Sequence, residues 1–429
     1  MSNLLAARTQ MALSLGFHIV FAEIGIAMPL LMVLAEWRWR RTGDDIYRQL
    51  AQRWAKGAAI LFAVGAVSGT VLSFELGLLW PRFMQFAGPI IGLPFSLEGF
   101  AFFTEAIFLG VYLYGWTKIS PRAHLVAGFI VAASGAASAV FVIMVNAWMN
   151  TPTGLTMSGG QIVRIDPIAG ALNPSTLQQA VHMLLAAYAA TGLAVAGIHA
   201  AMLLKKADAR FHRAALTLAL LVGAPAAIVQ PLSGDSSARS VAIWQPTKLA
   251  ALEGQFDTER GAPLRIGGWP DVSAEKTRYA IEIPYGLSLL AFHDPNAEVR
   301  GLQAFDRDVW PPVLPVHFGF QIMVGLGTIM ALVSIWALVT LIRKHEITSR
   351  NLLRALAIIT PFGYIATEAG WTVTEVGRQP WTVQGVLRTA DAVTPMPGLV
   401  VPMLVFALVY LGLSAIVIVL IRAMVRETA

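Results

Sequence analysis

Histidine, methionine and carboxylate side chains recur here inside stretches that are otherwise apolar and long enough to cross a lipid bilayer. His18, Glu98, Glu105, His182 and Glu368 stand out, with Met323 as a softer companion. An ionisable group at mid-bilayer costs roughly 2.5–3.5 kcal/mol even on lenient insertion scales, so such residues are functional by default. The same side-chain types also hold haem iron. Together they point to redox chemistry carried out within a membrane.

The composition sets the frame that must position them. Of 429 residues, 56% are apolar and only 13% charged, with a mean hydropathy of +0.64. A soluble chain carries about 25% charged residues, so the reading is an all-α integral membrane protein. A formal net charge of +6 would suggest nucleic acid in a soluble chain. Here it is assigned to basic cytoplasmic loops, and no nucleic-acid partner is expected. The absence of cysteine excludes disulfides, iron–sulfur clusters, thiolate metal sites and thioether-attached haem, so any haem is held non-covalently. The first apolar run contains His18 and leads into basic residues rather than a small-residue cleavage site, so it reads as a retained span.

Runs able to cross about 30 Å of hydrocarbon lie near residues 12–35, 57–79, 95–116, 124–147, 178–204, 214–232, 313–342, 352–374 and 398–422, about nine helices. Basic residues then orient them. Arg38, Arg40, Arg41, Arg48, Arg53 and Lys56 follow span 1, and Lys118 and Arg122 follow span 3. Lys205, Lys206, Arg210 and Arg213 follow span 5, Arg343, Lys344, Arg350 and Arg354 span 7, and Arg422 and Arg426 span 9. All fall on one side, which the positive-inside rule makes cytoplasmic; the N-terminus is then outside and the C-terminus inside. Three parts result: spans 1–6 over residues 1–232, a long external loop over 233–312, and spans 7–9 over 313–429. The Pro, Gly, Asp and Arg content of the loop excludes a tenth span and marks it as a folded functional segment.

At 1.5 Å per residue, His18, Glu98, His182, Met323 and Glu368 all fall in the outer half of the membrane. Glu105 alone among these six reaches deeper, two turns below Glu98 and on the same helix face. His182 and Met323 sit at similar depth on either side of the external loop, and His/Met ligation is a known low-spin haem arrangement. The blander alternatives are a histidine bonding a neighbouring backbone and a methionine in a core. Glu98 and Glu105 read as a proton relay or ligand set, or else as a structural pair, and Glu368 is weighed in the same way. His124, His199, His212, His293, His317 and His345, at span ends or in loops, are expected to be solvated or interfacial, with His317 held open. In TKLAALEGQF, Lys248 and Glu253 form either a solvated short helical face or a handle for a quinone headgroup, whose carboxylate takes the proton released on oxidation. Arg378 and Trp381 of GRQPW are either an interfacial anchor or, for the arginine, a partner for a haem propionate.

These segments resemble subunit I of the cytochrome bd family of quinol oxidases. The matching stretches are FHIVFAEIGI, SLEGFAFFTEAIFLGVYLYGW, VNAWMN, VHMLLAAYAATG, GDSSAR, TKLAALE, IEIPYG, FQIMVG and TEAGWTVTEVGRQPW, in order along essentially the whole chain. The resemblance implies that His182 and Met323 are axial ligands of a low-spin haem b. It implies that His18 and Glu368, with Glu98 close by, serve two high-spin haems: a haem b, and a haem d or further haem b. Which iron each of them serves stays open. Glu105, Ser138 and Asn146 match positions linked to proton delivery, and Lys248 and Glu253 match quinol-binding positions. The family further implies a second large membrane subunit, often a one-helix accessory, and a bacterial cytoplasmic membrane location.

Three features depart from many members. Gln321 stands where arginine is common, a loss of charge that bears on the low-spin haem potential. Tyr364 stands where tryptophan is usual, which bears on the electron route near the high-spin pair. The external loop is of the short type. These traits resemble the cyanide-insensitive branch. The implied activity is quinol oxidation at the outer face and reduction of dioxygen to water, with charge separated across the membrane without a pump. Two other classes would also explain buried carboxylates or haem ligands. One is a proton-coupled transporter, for which neither an inverted repeat nor broken helices are read here. The other is a non-catalytic b-type electron-transfer cytochrome.

Overall fold

The computed structural model describes residues 1–158, 161–205 and 209–428. Lys206 and the side chain of Arg426, counted above among the basic residues, lie outside what is described. Among the described residues, nine helices are long and apolar enough to cross a membrane. Spans 1 to 4 are Asn3–Thr42, Asp45–Leu79, Pro81–Tyr114 and Pro121–Asn150. Spans 5 to 9 are Thr176–Leu204, Ala209–Trp244, Val313–Lys344, Arg350–Val376 and Val400–Met424. Their starts carry recognisable signals. Ser2, Asp44, Ser120 and Ser349 each accept a backbone N–H of the first turn, and Pro81 and Pro121 occupy first-turn positions where no N–H is needed.

The spans form two four-membered rings. Span 1 packs on 2, 2 on 3, 3 on 4 and 4 on 1; likewise 5 packs on 6, 6 on 7, 7 on 8 and 8 on 5. Span 5 joins the rings through spans 1 and 4, and span 9 lies against spans 1 and 2. Leu193, Leu216, Leu220, Met330 and Leu356 fill the second ring, and Met32, Leu50, Trp54 and Tyr112 fill one end of the first. With lipid as solvent, close backbone approach replaces hydrophobic drive, and glycines allow it. A Cβ at Gly223 of span 6 would lie 2.7 Å from Leu193 N and 2.9 Å from Gly192 Cα of span 5. Gly223→Val is therefore expected to destabilise the protein by about 1–3 kcal/mol, seen as a lower thermal midpoint in detergent; an unchanged midpoint would show the two helices free to separate.

Two span boundaries differ from expectation. Span 6 continues to Trp244 rather than ending at 232. Its Ser233 and Gly234 face His182 rather than solvent, and Asp235 pairs with Arg239 one turn on at 2.8 Å, so the polar run is helical. Span 8 is broken, into Arg350–Ile358 and Phe362–Val376. Pro361 supplies no backbone N–H at the break, and the Thr360 hydroxyl donates to Ala357 O at 2.8 Å. The absence of broken helices, read above as evidence against a transporter, is thus corrected at this one place.

The segments between spans are not all irregular. Leu155–Ser158 pairs with Gln161–Ile165, and Trp381–Val383 with Leu387–Arg388, both antiparallel. The stretch between spans 6 and 7 begins with a helix, Pro246–Glu253, and holds three further two-stranded pairs. Leu249, Leu252 and Phe256 pack with Val316 of span 7 and Val373 of span 8, which seats the short helix on the ends of those two spans.

Candidate haem and quinol site

Each side chain read above as an iron ligand meets a glycine of a neighbouring helix. A Cβ at Gly69 of span 2 would lie 3.0 Å from His18 Cε1, and one at Gly234 of span 6 would lie 3.7 Å from His182 Cε1. A Cβ at Gly370 of span 8 would lie 2.9 Å from Met323 Sδ, and one at Gly16 of span 1 would lie 3.2 Å from Glu368 Oε2. His18 is further held at Nδ1 by Ser68 Oγ at 2.9 Å, and His182 at Nδ1 by Ser233 Oγ at 3.0 Å. His182 and Met323 belong to spans 5 and 7, which stand across the second ring from one another. His18 and Glu368 do not share a face of span 1. The ring of His18 turns toward span 2, whereas Glu368 approaches Gly16, two residues and about 200° away.

Glu98 accepts from Ser138 Oγ at 3.1 Å, linking spans 3 and 4. Glu105, two turns deeper, is buried against Gly135 of span 4, where the Gly25 carbonyl of span 1 also approaches. Asn146 is not with them. It donates to Glu375 on span 8 and accepts from Asn150 Nδ2 at 3.0 Å, within a network that runs to the external loop. There Lys248 Nζ donates to Asn150 Oδ1 at 3.2 Å and to Gln245 Oε1 at 3.1 Å. Arg378 joins the network through Glu375, while its Nε and Nη1 are buried without a partner among the described residues.

Lys248 and Glu253 are 5% and 3% exposed, which removes the reading of a solvated helical face. Burial draws the Lys248 ammonium down to about 7, with Arg378 adding to the effect and Glu375 opposing it. Burial pushes the Glu253 carboxyl up to about 8, against the pull of Arg265. Glu253 Oε2 has no partner among the described residues. Arg378, 2% exposed, is not an interfacial anchor. Trp381 stands apart from its guanidinium, in the hairpin beneath Arg388 at 5.0 Å.

Several histidines expected to be solvated are buried. His124 bonds Glu36 at 2.9 Å and the Tyr112 carbonyl at 2.9 Å, and His199 meets His212 at 2.7 Å. His317 touches the carbonyls of Leu252 at 2.9 Å and Gly267 at 3.2 Å, where the external loop folds over the end of span 7. Gln321, one turn on, accepts from Gly267 N and donates to Arg265 O, both at 3.0 Å, so it clamps the loop. Tyr364 OH lies 3.3 Å from Thr191 Oγ1. Three carboxylates escaped the sequence reading. Glu23 is fully buried beside Thr367 and Glu368. Glu75 takes a hydrogen bond from Gln10 at 2.9 Å, and Glu36 holds Arg40 and His124. Each lies in a long span helix, the same signal that marked Glu98.

The residues present fit haem. Imidazole and thioether are haem-iron ligands and a carboxylate is a further oxygen donor, a glycine lies beside each of the four side chains, and the unpartnered Nε and Nη1 of Arg378 suit a propionate.

Comparison with known proteins agrees with this geometry. The chain is 40% identical over 423 residues to a Bacillus subtilis (strain 168) protein provisionally named cytochrome bd menaquinol oxidase subunit I, covering 97% of this chain and 95% of that protein. It is 31% identical to the cytochrome bd ubiquinol oxidase subunit 1 of the same organism, over 100% of this chain and 95% of the relative. The solved bd oxidase of Geobacillus thermodenitrificans superposes with a TM-score of 0.93 at 39% identity, covering 100% of this chain and 99% of that one. The family described as cytochrome bd terminal oxidase subunit I matches residues 6–429. The chain belongs to that family, as a multi-pass membrane protein.

Proposed function

We propose that this chain oxidises a quinol at the external helix Pro246–Glu253 and passes its electrons inward for the reduction of dioxygen to water. The observation that carries the reading is the burial of Lys248 and Glu253 on a helix seated over spans 7 and 8, which bear Met323 and Glu368. His182 and Met323 hold a low-spin haem b. His18, Glu368 and Glu98 serve a high-spin haem b and a haem d or further haem b, and Arg378 pairs a propionate. When bound, the haems supply the electron path and the oxygen chemistry. Glu253 accepts a proton from the quinol, and Lys248 orients the headgroup from within its network with Asn150 and Gln245. Glu105, with Glu98 and Ser138 above it, moves protons from the cytoplasmic side.

The topology follows from the basic residues behind spans 1, 3, 5, 7 and 9: N-terminus outside, C-terminus in the cytoplasm. Protons leave at the outer face and are taken up from the inner one, and each charge moved is worth about 2.3 kcal/mol per 100 mV. A second large subunit, and in some members a one-helix accessory, completes the enzyme in the bacterial cytoplasmic membrane.

The quinol step carries its own test. Glu253 is protonated below about 8 and ionised above it. Only the ionised form takes a proton from the quinol. The kcat/KM for quinol is therefore expected to rise as pH passes through about 8, and Glu253→Gln to flatten that limb and lower the plateau. An unaltered profile in Glu253→Gln would remove the carboxylate from the reaction.

A further inference from the structure

Both histidines assigned to iron are met by the same dipeptide on the following helix. Ser68–Gly69 of span 2 faces His18, and Ser233–Gly234 of span 6 faces His182. In each case the serine Oγ stands at Nδ1, at 2.9 and 3.0 Å, and the glycine lies beside Cε1, where an added Cβ would come to 3.0 Å at Gly69 and make an ordinary contact at 3.7 Å at Gly234. The proton positions follow from the remaining contacts. Ser68 Oγ donates its single proton back to its own helix, to Val64 O at 3.0 Å or Gly65 O at 3.1 Å. With its proton on either carbonyl, its lone pair accepts from His18 Nδ1–H, which leaves Nε2 for a metal. At His182 the serine again stands at Nδ1. The Gln230 amide nitrogen donates to the His182 carbonyl at 3.1 Å and lies beside the ring, 3.2 Å from Nε2 and 3.4 Å from Nδ1, so it does not choose between the two nitrogens. The Ser233 hydroxyl, at Nδ1 and not at Nε2, is what distinguishes them.

His124 and His317, also buried, behave differently. His124 has one ring nitrogen on Glu36 and the other on a carbonyl, and His317 has both on carbonyls. Neither has a bare nitrogen to offer. We propose that Ser68–Gly69 and Ser233–Gly234 are matched histidine cradles, which fix His18 and His182 as Nδ1–H tautomers and present Nε2 to iron. Ser68 and Ser233 are positioning residues. A hydrogen bond accepted from Nδ1–H orients the ring and raises the basicity of the nitrogen that binds the metal. The inference rests on His18 and His182 being iron ligands.

The test uses the intact, haem-loaded oxidase. In the reduced enzyme, resonance Raman reads the iron–histidine stretch of the high-spin haem on His18, and a redox titration reads both haem potentials. Ser68→Ala is expected to lower the stretching frequency and raise the high-spin potential, and Ser68→Thr to restore both. Ser233→Ala is expected to raise the low-spin potential without moving the stretch. Where an alanine variant retains less haem, the cradle predicts about 10–100-fold weaker retention that threonine rescues. A wild-type stretch left unmoved by Ser68→Ala, with potentials unchanged in both variants, overturns the cradles. A wild-type enzyme with no iron–histidine stretch, and a low-spin band that survives loss of His182, overturns the ligand assignment beneath them.

Discussion

A His182→Ala oxidase is expected to lose its low-spin haem band and to stop accepting electrons from quinol, while its carbon-monoxide-reactive signal persists. The expectation follows from the placement of the residue. His182 and Met323 stand across one helical ring, and His18, Glu368 and Glu98 are positioned by the other or by its junction with span 8. Removing one ligand from the first set leaves the second in place. Loss of an outer partner of a metal ligand costs about 10–100-fold, so removal of the ligand itself is expected to exceed about 100-fold in quinol-driven turnover. Dithionite, which bypasses the quinol, should still reduce the remaining haem. Equal loss of both haem signals would mean that His182 supports the fold as a whole.

Glu105→Gln carries the second large effect. The side chain is 6% exposed, at the meeting of spans 1, 3 and 4, with Gly135 leaving the space it occupies. Glutamine keeps that volume and removes the transferable proton. Positioned proton transfer contributes about 10²–10⁴-fold, so oxygen reduction is expected to slow by at least about 100-fold with haem content and spectra intact. Stopped-flow mixing of the reduced enzyme with oxygen reads the step directly. A parallel fall in haem content would make Glu105 a structural residue.

Much of this arrangement was legible because a bilayer restricts what a chain can do. Nine apolar runs were recognisable by length alone, and a carboxylate such as Glu98 in one of them draws attention at once. The same rule applied evenly would have found Glu23 and Glu75, which lie in spans 1 and 2. Other features depended on long-range partners. Nothing local says that Ser233 and Gly234 face a histidine 51 positions away in the chain from Ser233, so GDSSAR read as loop and the end of span 6 was placed too early. His317 stays open in the sequence because the fold of residues 252–267 over it is not written in its neighbours. Asn146 was grouped with Glu105 and Ser138, yet its hydrogen bonds go to span 8 and toward Lys248. The break in span 8 was within reach, since Pro361 sits inside an otherwise helical run.

The central claim is that this chain's histidines, methionine and carboxylates hold one low-spin haem and an oxygen-reactive haem pair. A dithionite-reduced minus oxidised spectrum of the purified oxidase, recorded with and without carbon monoxide and paired with extraction of the haems, tests it most directly. The expected result is a low-spin b band indifferent to carbon monoxide, together with a separate high-spin signal that carbon monoxide shifts. A haem spectrum with no response to carbon monoxide, or an intact preparation without haem, would contradict it.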